Sequence, residues 1–213
     1  MPLVEIDGRV LTLSNLDKVL YPATGFTKAQ VVDYYTRIAP TALVHLGDRS
    51  VTLRRYPDGV EGVSFFEKRC PKHRPDWVRT ANGPGDRDGP IGYCVLDSTA
   101  VLVWAANLAA LELHAPMARA GDVDHPAMLV FDLDPGEPAD IGTCCRVALE
   151  IRDVLTAVGL RAWPKTSGSK GLQLYVPLNC PHAHDQTRDF AHAVAQLLER
   201  RQPDLVTSVM SRA

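Results

Sequence analysis

The stretch from Met128 to Asp134 constrains the fold more than any other. Met128, Leu129, Val130 and Phe131 run straight into Asp132, Leu133 and Asp134, and Pro135 and Gly136 stop the run. Side chains alternate along a strand, so Val130, Asp132 and Asp134 share one face and Leu129, Phe131 and Leu133 share the other. Such a strand needs a core on one side and an open, polar surface on the other. Two carboxylates about 7 Å apart along a strand repel if bare and buried. A divalent cation relieves that repulsion, and hard oxygen ligands suit Mg²⁺ or Mn²⁺. A strand end where Asp134, Pro135 and Gly136 simply turn the chain explains the same residues. The motif alone leaves both readings open.

The chain beyond this strand is regular. Asp140 is placed to cap a helix with Ile141, Cys144, Cys145, Ala148, Ile151 and Leu155 inward, and Gly159 ends it. Leu160 to Lys165 and Leu172 to Leu178 read as strands, and a helix from Asp185 carries Phe190, Val194, Leu197 and Leu198. The order from Met128 is therefore β-α-β-β-α. Between the two strands lies Thr166 to Gly171, a loop of small residues and glycines that contains Ser167 and Lys170. Its backbone N–H groups can converge on an anion, with Lys170 adding a full charge, or the loop is a polar hairpin. The spacing is not that of a Walker A loop, and a strand comes next where a helix should.

The first half reads as a separate α/β arrangement. Val10 to Leu13 is a short strand. Thr27 and Gln30 make a capping box for a helix starting near Lys28, with Val31, Tyr34, Tyr35 and Ile38 buried and Pro40 bending or ending it. Ser50 to Arg55 and Val63 to Lys68 form a hairpin about Asp58 and Gly59. Asn82 to Gly92, rich in Gly, Pro and Asp, is expected as a surface loop. Ser98 is expected to cap an apolar helix through Val103, Trp104, Leu108 and Leu111 that reaches His114. The expected fold is α/β (α+β) with two lobes, about 1–125 and 126–213.

A chain of 213 residues with 46% hydrophobic residues can bury a sizeable core. Its formal net charge of −2 does not mark the whole surface as a nucleic-acid binder, so such binding has to come from local patches. Residues 54–79 offer one, with seven Lys or Arg against four acids. Five cysteines without paired spacing read as reduced thiols, and Cys70 with His73 as at most half a zinc site. The N-terminus lacks the apolar core of a signal peptide, and no run reaches transmembrane length, so a cytoplasmic protein is expected. Phe65 and Phe66 are adjacent on a strand and face opposite ways, which leaves one available to solvent or to a base. Lys18 and Lys28 flank a turn-rich loop near a helix start, where they can hold a phosphate or be solvated charges.

Taken together, LTLSNLDKVLYPATGFTK, RRYPDGV, SFFEK, LDSTAVLVWAANLAALELH, LVFDLDPGE and KTSGSKGL resemble the polymerase domain of bacterial DNA ligase D, within the archaeo-eukaryotic primase superfamily. The resemblance runs from about Val10 to the C-terminus. It implies a primase-polymerase that extends or fills DNA ends in non-homologous end joining, often preferring ribonucleotides, with Mn²⁺ or Mg²⁺ in a two-metal site. It implies Asp132 and Asp134 as metal carboxylates. It implies Ser167, Lys170, Arg54, His114 and Phe66 at the incoming NTP or dNTP. Lys18 and Lys28 would hold a DNA 5′-phosphate, with Arg55 and Phe65 toward the template. Implied partners are DNA ends, Ku, and ligase or nuclease modules of the same system, with no membrane. Two departures stand out. Gln173 occupies a position where the family commonly has histidine, and its alternation with Tyr175 still aims it at the site as an uncharged donor. The family's third metal carboxylate lies on a strand after the last helix, so the resemblance reads this chain as truncated, with C-terminal strands missing. A catalytically impaired module that binds DNA ends or 5′-phosphates is the alternative function.

Overall fold

The computed structural model describes residues 1–87 and 89–209. The chain divides into two compact units, Met1–Val123 and Asp124–Ala213, each with its own buried cluster.

The first unit opens with a hairpin of β1 (Leu3–Ile6) and β2 (Arg9–Thr12). A second small hairpin, β3 (Val19–Tyr21) and β4 (Phe26–Thr27), leads directly into α1 (Lys28–Leu46). The expected capping box is present, with the Thr27 N–H donating to Gln30 Oε1 at 2.7 Å. Val31, Tyr35 and Ala39 are the buried stripe, whereas Tyr34 is 49% exposed. Pro40 sits inside α1 and does not end it. Its fixed φ suits a helix, and the one hydrogen bond it removes faces solvent, where water can take the orphaned carbonyl.

Strand β5 (Ser50–Arg55) is the hub of the main sheet. Its first residues pair with β8 (Gly89–Val95), which also pairs with β7 (Thr80–Asp86). Leu53 to Arg55 pair with β6 (Phe65–Glu67) on one edge and with β9 (Ala110–His114) on the other. The expected surface loop at 82–92 is thus a strand pair, apart from Asp88, which lies outside the described residues. Its glycines carry little side-chain information, and backbone pairing to β8 decides the conformation; the Tyr93 ring fills the space where a Gly83 side chain would go.

Helix α2 (Thr99–Asn107) is buried from Ala100 to Ala106, so it forms the centre of this unit. It ends earlier than expected. Ala109 adopts φ 55° and reverses the chain, and Ala110 to His114 become β9. A short apolar run fits a helix or a buried strand equally well, which is why the sequence misplaces His114 on a helix. Cys70 and Cys94 form a disulfide, correcting the expectation of reduced thiols throughout; Cys144, Cys145 and Cys180 are free. Their separation of 24 residues matches no motif, and pairing arises because Cys70 N–H donates to the Gly92 carbonyl and draws the segment onto β8. Two further short strands, β10 (Ala118–Arg119) and β11 (Asp122–Pro126), come next.

The second unit has the order expected from its sequence. It comprises β12 (Met128–Leu133), α3 (Ile141–Ala157), β13 (Trp163–Thr166), β14 (Leu172–Pro177) and α4 (His184–Arg201). The antiparallel sheet has the order β12-β14-β13. Leu129, Phe131, Leu172, Leu174 and Val176 make one buried face with Ile151 and Leu155 of α3 and Val194 and Leu198 of α4. Ile141 and Cys145, expected inward, are exposed. Asp140 accepts from the Thr143 N–H at 2.9 Å and caps α3, which holds its carboxyl below the usual range. Gly159, at φ 78°, closes the helix.

Candidate active site

In the second unit β12 ends at Leu133, so strand alternation places Asp132, and Asp134 follows just beyond the strand, where the sequence reading had it on the strand. Phe131 is buried while Asp132 and Asp134 are exposed. Asp132 pairs with Gln173 across β14, and Gln173 pairs with Lys165 on β13, so these three stand in one cross-strand row. The Tyr175 hydroxyl donates to Gln173 Oε1 at 3.0 Å. Burial pushes the Tyr175 phenol up, and the charge of Asp132 adds to this. Asp132 and Asp134 line an open pocket of about 630 Å³ with Pro135 to Ala139, Thr143, Arg146 and residues 203–207.

The loop after β13 closes against Asp134. A side chain at Gly171 would meet the Leu133 carbonyl at 2.5 Å and Asp134 Oδ1 at 3.0 Å, so the close approach needs glycine. Ser167 Oγ accepts from the Gly171 N–H at 3.0 Å, and the Ser167 N–H donates to the Gly171 carbonyl at 3.0 Å. These two N–H groups are therefore occupied within the loop. The loop presents the Lys170 side chain, which is exposed.

Among the described residues no group of three or more His, Cys, Asp or Glu could hold a metal ion, and Cys70, at most half a zinc site by sequence, is in a disulfide. Asp132 and Asp134 still fit an Mg²⁺-like ion. That ion keeps waters and is bound through one or two carboxylates plus substrate phosphates, and the two aspartates supply hard oxygens on an open face.

The first unit assembles a second set of residues around a residue the sequence did not point to, Glu112. Its Oε1 accepts from Arg54 Nη1 at 3.0 Å and from the Tyr56 hydroxyl, and its Oε2 meets His114 Nε2 at 2.8 Å. The Tyr56 hydroxyl, with His114 and Arg54 adding, holds the Glu112 carboxyl below its usual value. Arg54 also donates from Nε to Ser64 Oγ at 3.2 Å. Its guanidinium lies 5.1 Å from the Phe66 ring centre and 5.2 Å from that of Tyr56. Phe66 meets the His114 ring edge-on at 5.3 Å. Arg54, Phe66 and His114 are thus brought together. The signal for Glu112 was its place two residues before His114, on the same face of a strand; reading a helix there hid it.

On the opposite face of β5, Arg55 Nη1 pairs with Glu67 at 3.1 Å and its guanidinium covers Phe65 at 5.4 Å. Both phenylalanines are open, Phe65 at 42% and Phe66 at 56% exposure, where one was expected. The third group is at the start of α1. Lys28 is only 5% exposed, its Nζ donates to Ser14 Oγ at 3.4 Å, and its backbone N–H donates to the Lys18 carbonyl at 2.8 Å. Burial lowers the Lys28 pKa, and the positive charges of Lys18 and Arg55 lower it further. Lys18 forms an ion pair with Asp58 at 2.7 Å. A buried lysine beside like charges at a helix N-terminus is an arrangement that an anion relieves.

The sequence profile of the LigD primase-polymerase domain matches residues 27–213. The multifunctional non-homologous end joining DNA repair protein LigD of Mycobacterium tuberculosis is 44% identical over 211 residues, covering 95% of this chain and 28% of that protein. The bifunctional non-homologous end joining protein LigD of Bacillus subtilis is 34% identical over 200 residues, covering 93% of this chain and 32% of that protein. The chain thus spans under a third of the length of these relatives. The polymerase domain of Mycobacterium tuberculosis ligase D, solved in complex with DNA, superposes with a TM-score of 0.88 at 43% identity, over 94% of this chain and 72% of that one. No helix among the described residues is long and apolar enough to cross a membrane. The mixed α/β fold and the sequence agree, and this chain belongs to the LigD primase-polymerase domain family.

Proposed function

We propose that this domain transfers nucleotides onto DNA ends, template-directed and with ribonucleotides preferred, during the repair of double-strand breaks by non-homologous end joining. The observation that carries the reading is the pairing of exposed Asp132 and Asp134 with a loop whose Gly171 sits against the Asp134 carboxylate. Membership of a primase-polymerase family implies nucleotidyltransferase activity, and the relatives' names supply the end-joining context.

In this reading Asp132 and Asp134 hold Mn²⁺ or Mg²⁺, and the chemistry a bound ion supplies is charge stabilisation on the attacking and leaving oxygens. Lys170 and Ser167 bind the triphosphate of the incoming NTP or dNTP, and Gln173 offers an amide to it. Arg54 retains N–H groups beyond those given to Ser64 and Glu112, and with His114 it is the first unit's candidate nucleotide contact. Phe66 stacks near the base, worth about 1–3 kcal/mol. Phe65 and Arg55 contact the template, and Lys18 and Lys28 receive the 5′-phosphate across a gap. Ku and ligase or nuclease modules complete the repair. The protein's own contribution is position and charge rather than covalent chemistry.

Primer extension on a gapped duplex with a downstream 5′-phosphate, Mn²⁺ and ribonucleotides tests this. Extension is expected, with a loss on the order of a thousandfold in Asp132→Ala or Asp134→Ala. No extension by the unaltered chain, with binding that still requires the 5′-phosphate, would favour the second reading, a DNA-end-binding module. The Lys28 site supports that reading, because it is built without any residue of the second unit.

A further inference from the structure

The open face of the β12-β14-β13 sheet carries more than the acidic pair. Trp163 pairs with Tyr175, and Tyr175 with Val130; Lys165 pairs with Gln173, and Gln173 with Asp132. Residues directly opposite one another project on the same side of a sheet. Trp163, Lys165 and Tyr175 therefore share the face of Asp132, turned away from the buried Phe131, Leu174 and Val176.

We propose that these three residues form a binding track for the single-stranded 3′ end of DNA, a contact that rests on the polymerase reading of Asp132 and Asp134. Trp163 is 53% exposed on an edge strand, a large aromatic that the fold does not use for its core. Lys165 Nζ lies 5.7 Å from the Tyr175 ring centre, and the Tyr175 hydroxyl is tied to Gln173, so this ring is held in place. Aromatic rings on an open sheet, flanked by a cation, suit unstacked bases and a passing phosphate. Charge points the same way. A DNA strand brought to Asp132 meets carboxylates that repel its backbone, and Lys165 stands at the other end of the same row to offset them. Two strand spacings and one residue pair separate Trp163 from Asp132 by about 12 Å. That is roughly three to four stacked nucleotides at 3.4 Å each. A 3′ terminus at the acidic pair can therefore have an upstream base against Trp163.

The test uses the whole chain and a DNA duplex with a 3′ oligo-dT tail and 5′-hydroxyl ends, which removes the Lys18 and Lys28 contribution. Affinity is read by fluorescence anisotropy at fixed salt, with the blunt duplex as control. Trp163→Ala is expected to weaken tailed DNA about tenfold, and Trp163→Phe to stay within about twofold of the unaltered chain. Lys165→Ala should reduce the slope of log affinity against log salt by about 1. Blunt duplex should bind all variants alike. Equal affinity of Trp163→Ala and the unaltered chain for the tail overturns the track, as does an equal loss on blunt and tailed DNA. Trp163-dependent tail binding without any nucleotide transfer supports the track and sinks the polymerase reading instead, so the two failures are separable.

Discussion

The two units prepare their polar residues in opposite ways. In the first unit three of the candidate contact cations have carboxylate partners, Lys18 with Asp58, Arg54 with Glu112 and Arg55 with Glu67, while buried Lys28 donates to the Ser14 hydroxyl. A disulfide and the Glu112 cluster tie neighbouring segments together. In the second unit Asp132, Asp134 and Lys170 stand exposed on a scaffold held by apolar packing. The first arrangement ties most of these side chains to neighbours within the unit, which would preorganise them for the proposed contacts. The second is a charge imbalance that only a cation and a polyanion together resolve. The binding proposed for the first unit and the chemistry proposed for the second should therefore respond to different perturbations.

The largest expected effect breaks the preorganised side. Reducing Cys70–Cys94, or replacing both with serine, should cost the first unit about 3 kcal/mol for a loop of this length. Thermal unfolding with and without reductant reads this, and an unchanged midpoint would show that the crosslink contributes nothing.

Glu112→Ala comes next. It leaves Arg54, Tyr56 and His114 without their shared acceptor, a loss of about 1–3 kcal/mol that should appear as a higher KM for nucleotide with a smaller change in kcat. Glu112→Gln, which keeps an acceptor oxygen, should recover part of it. Loss of kcat alone with KM unchanged would place Glu112 outside nucleotide contact.

The smallest effect is a pH dependence. The folded pKa of Lys28 is depressed, so the folded chain releases this proton at lower pH than the unfolded chain does. In the window between the two values the unfolded state binds more protons, so stability rises with pH there. Binding of a 5′-phosphate runs the other way, because it needs the charged amine. Preference for 5′-phosphate over 5′-hydroxyl ends should fade below the pH at which an ordinary lysine titrates, and preference unchanged up to that pH would remove Lys28 from the contact.

The legible parts of this molecule are those fixed by local periodicity. Strand β12, the carboxylates at its end, the Asp140 cap and the β-α-β-β-α order all come from residue spacing within one segment. The hairpin joining 50–55 to 63–68 was legible as well, but its register, which sets Arg54 opposite Phe66, was not. The illegible parts depend on partners distant in sequence. Glycine-rich 82–92 becomes strand because β8 has β5 beside it, and Cys70 finds Cys94 only once that sheet exists. Glu112 was lost with the helix-to-strand switch at Ala109, which no composition signal marks. The lysine loop was legible as a loop, but its internal bonds to Ser167 Oγ were not, since a serine hydroxyl fits an anion and a neighbouring N–H equally well.

On the proposed reading, the acidic pair is completed by a cation and a triphosphate together. Mn²⁺ binding, followed by electron paramagnetic resonance with and without a ribonucleoside triphosphate, tests it most directly. Weak binding by the chain alone is expected, with much tighter binding when the nucleotide is present and loss of that gain in Asp132→Ala, Asp134→Ala. Tight binding without nucleotide, or a nucleotide-dependent gain that survives both substitutions, would contradict it.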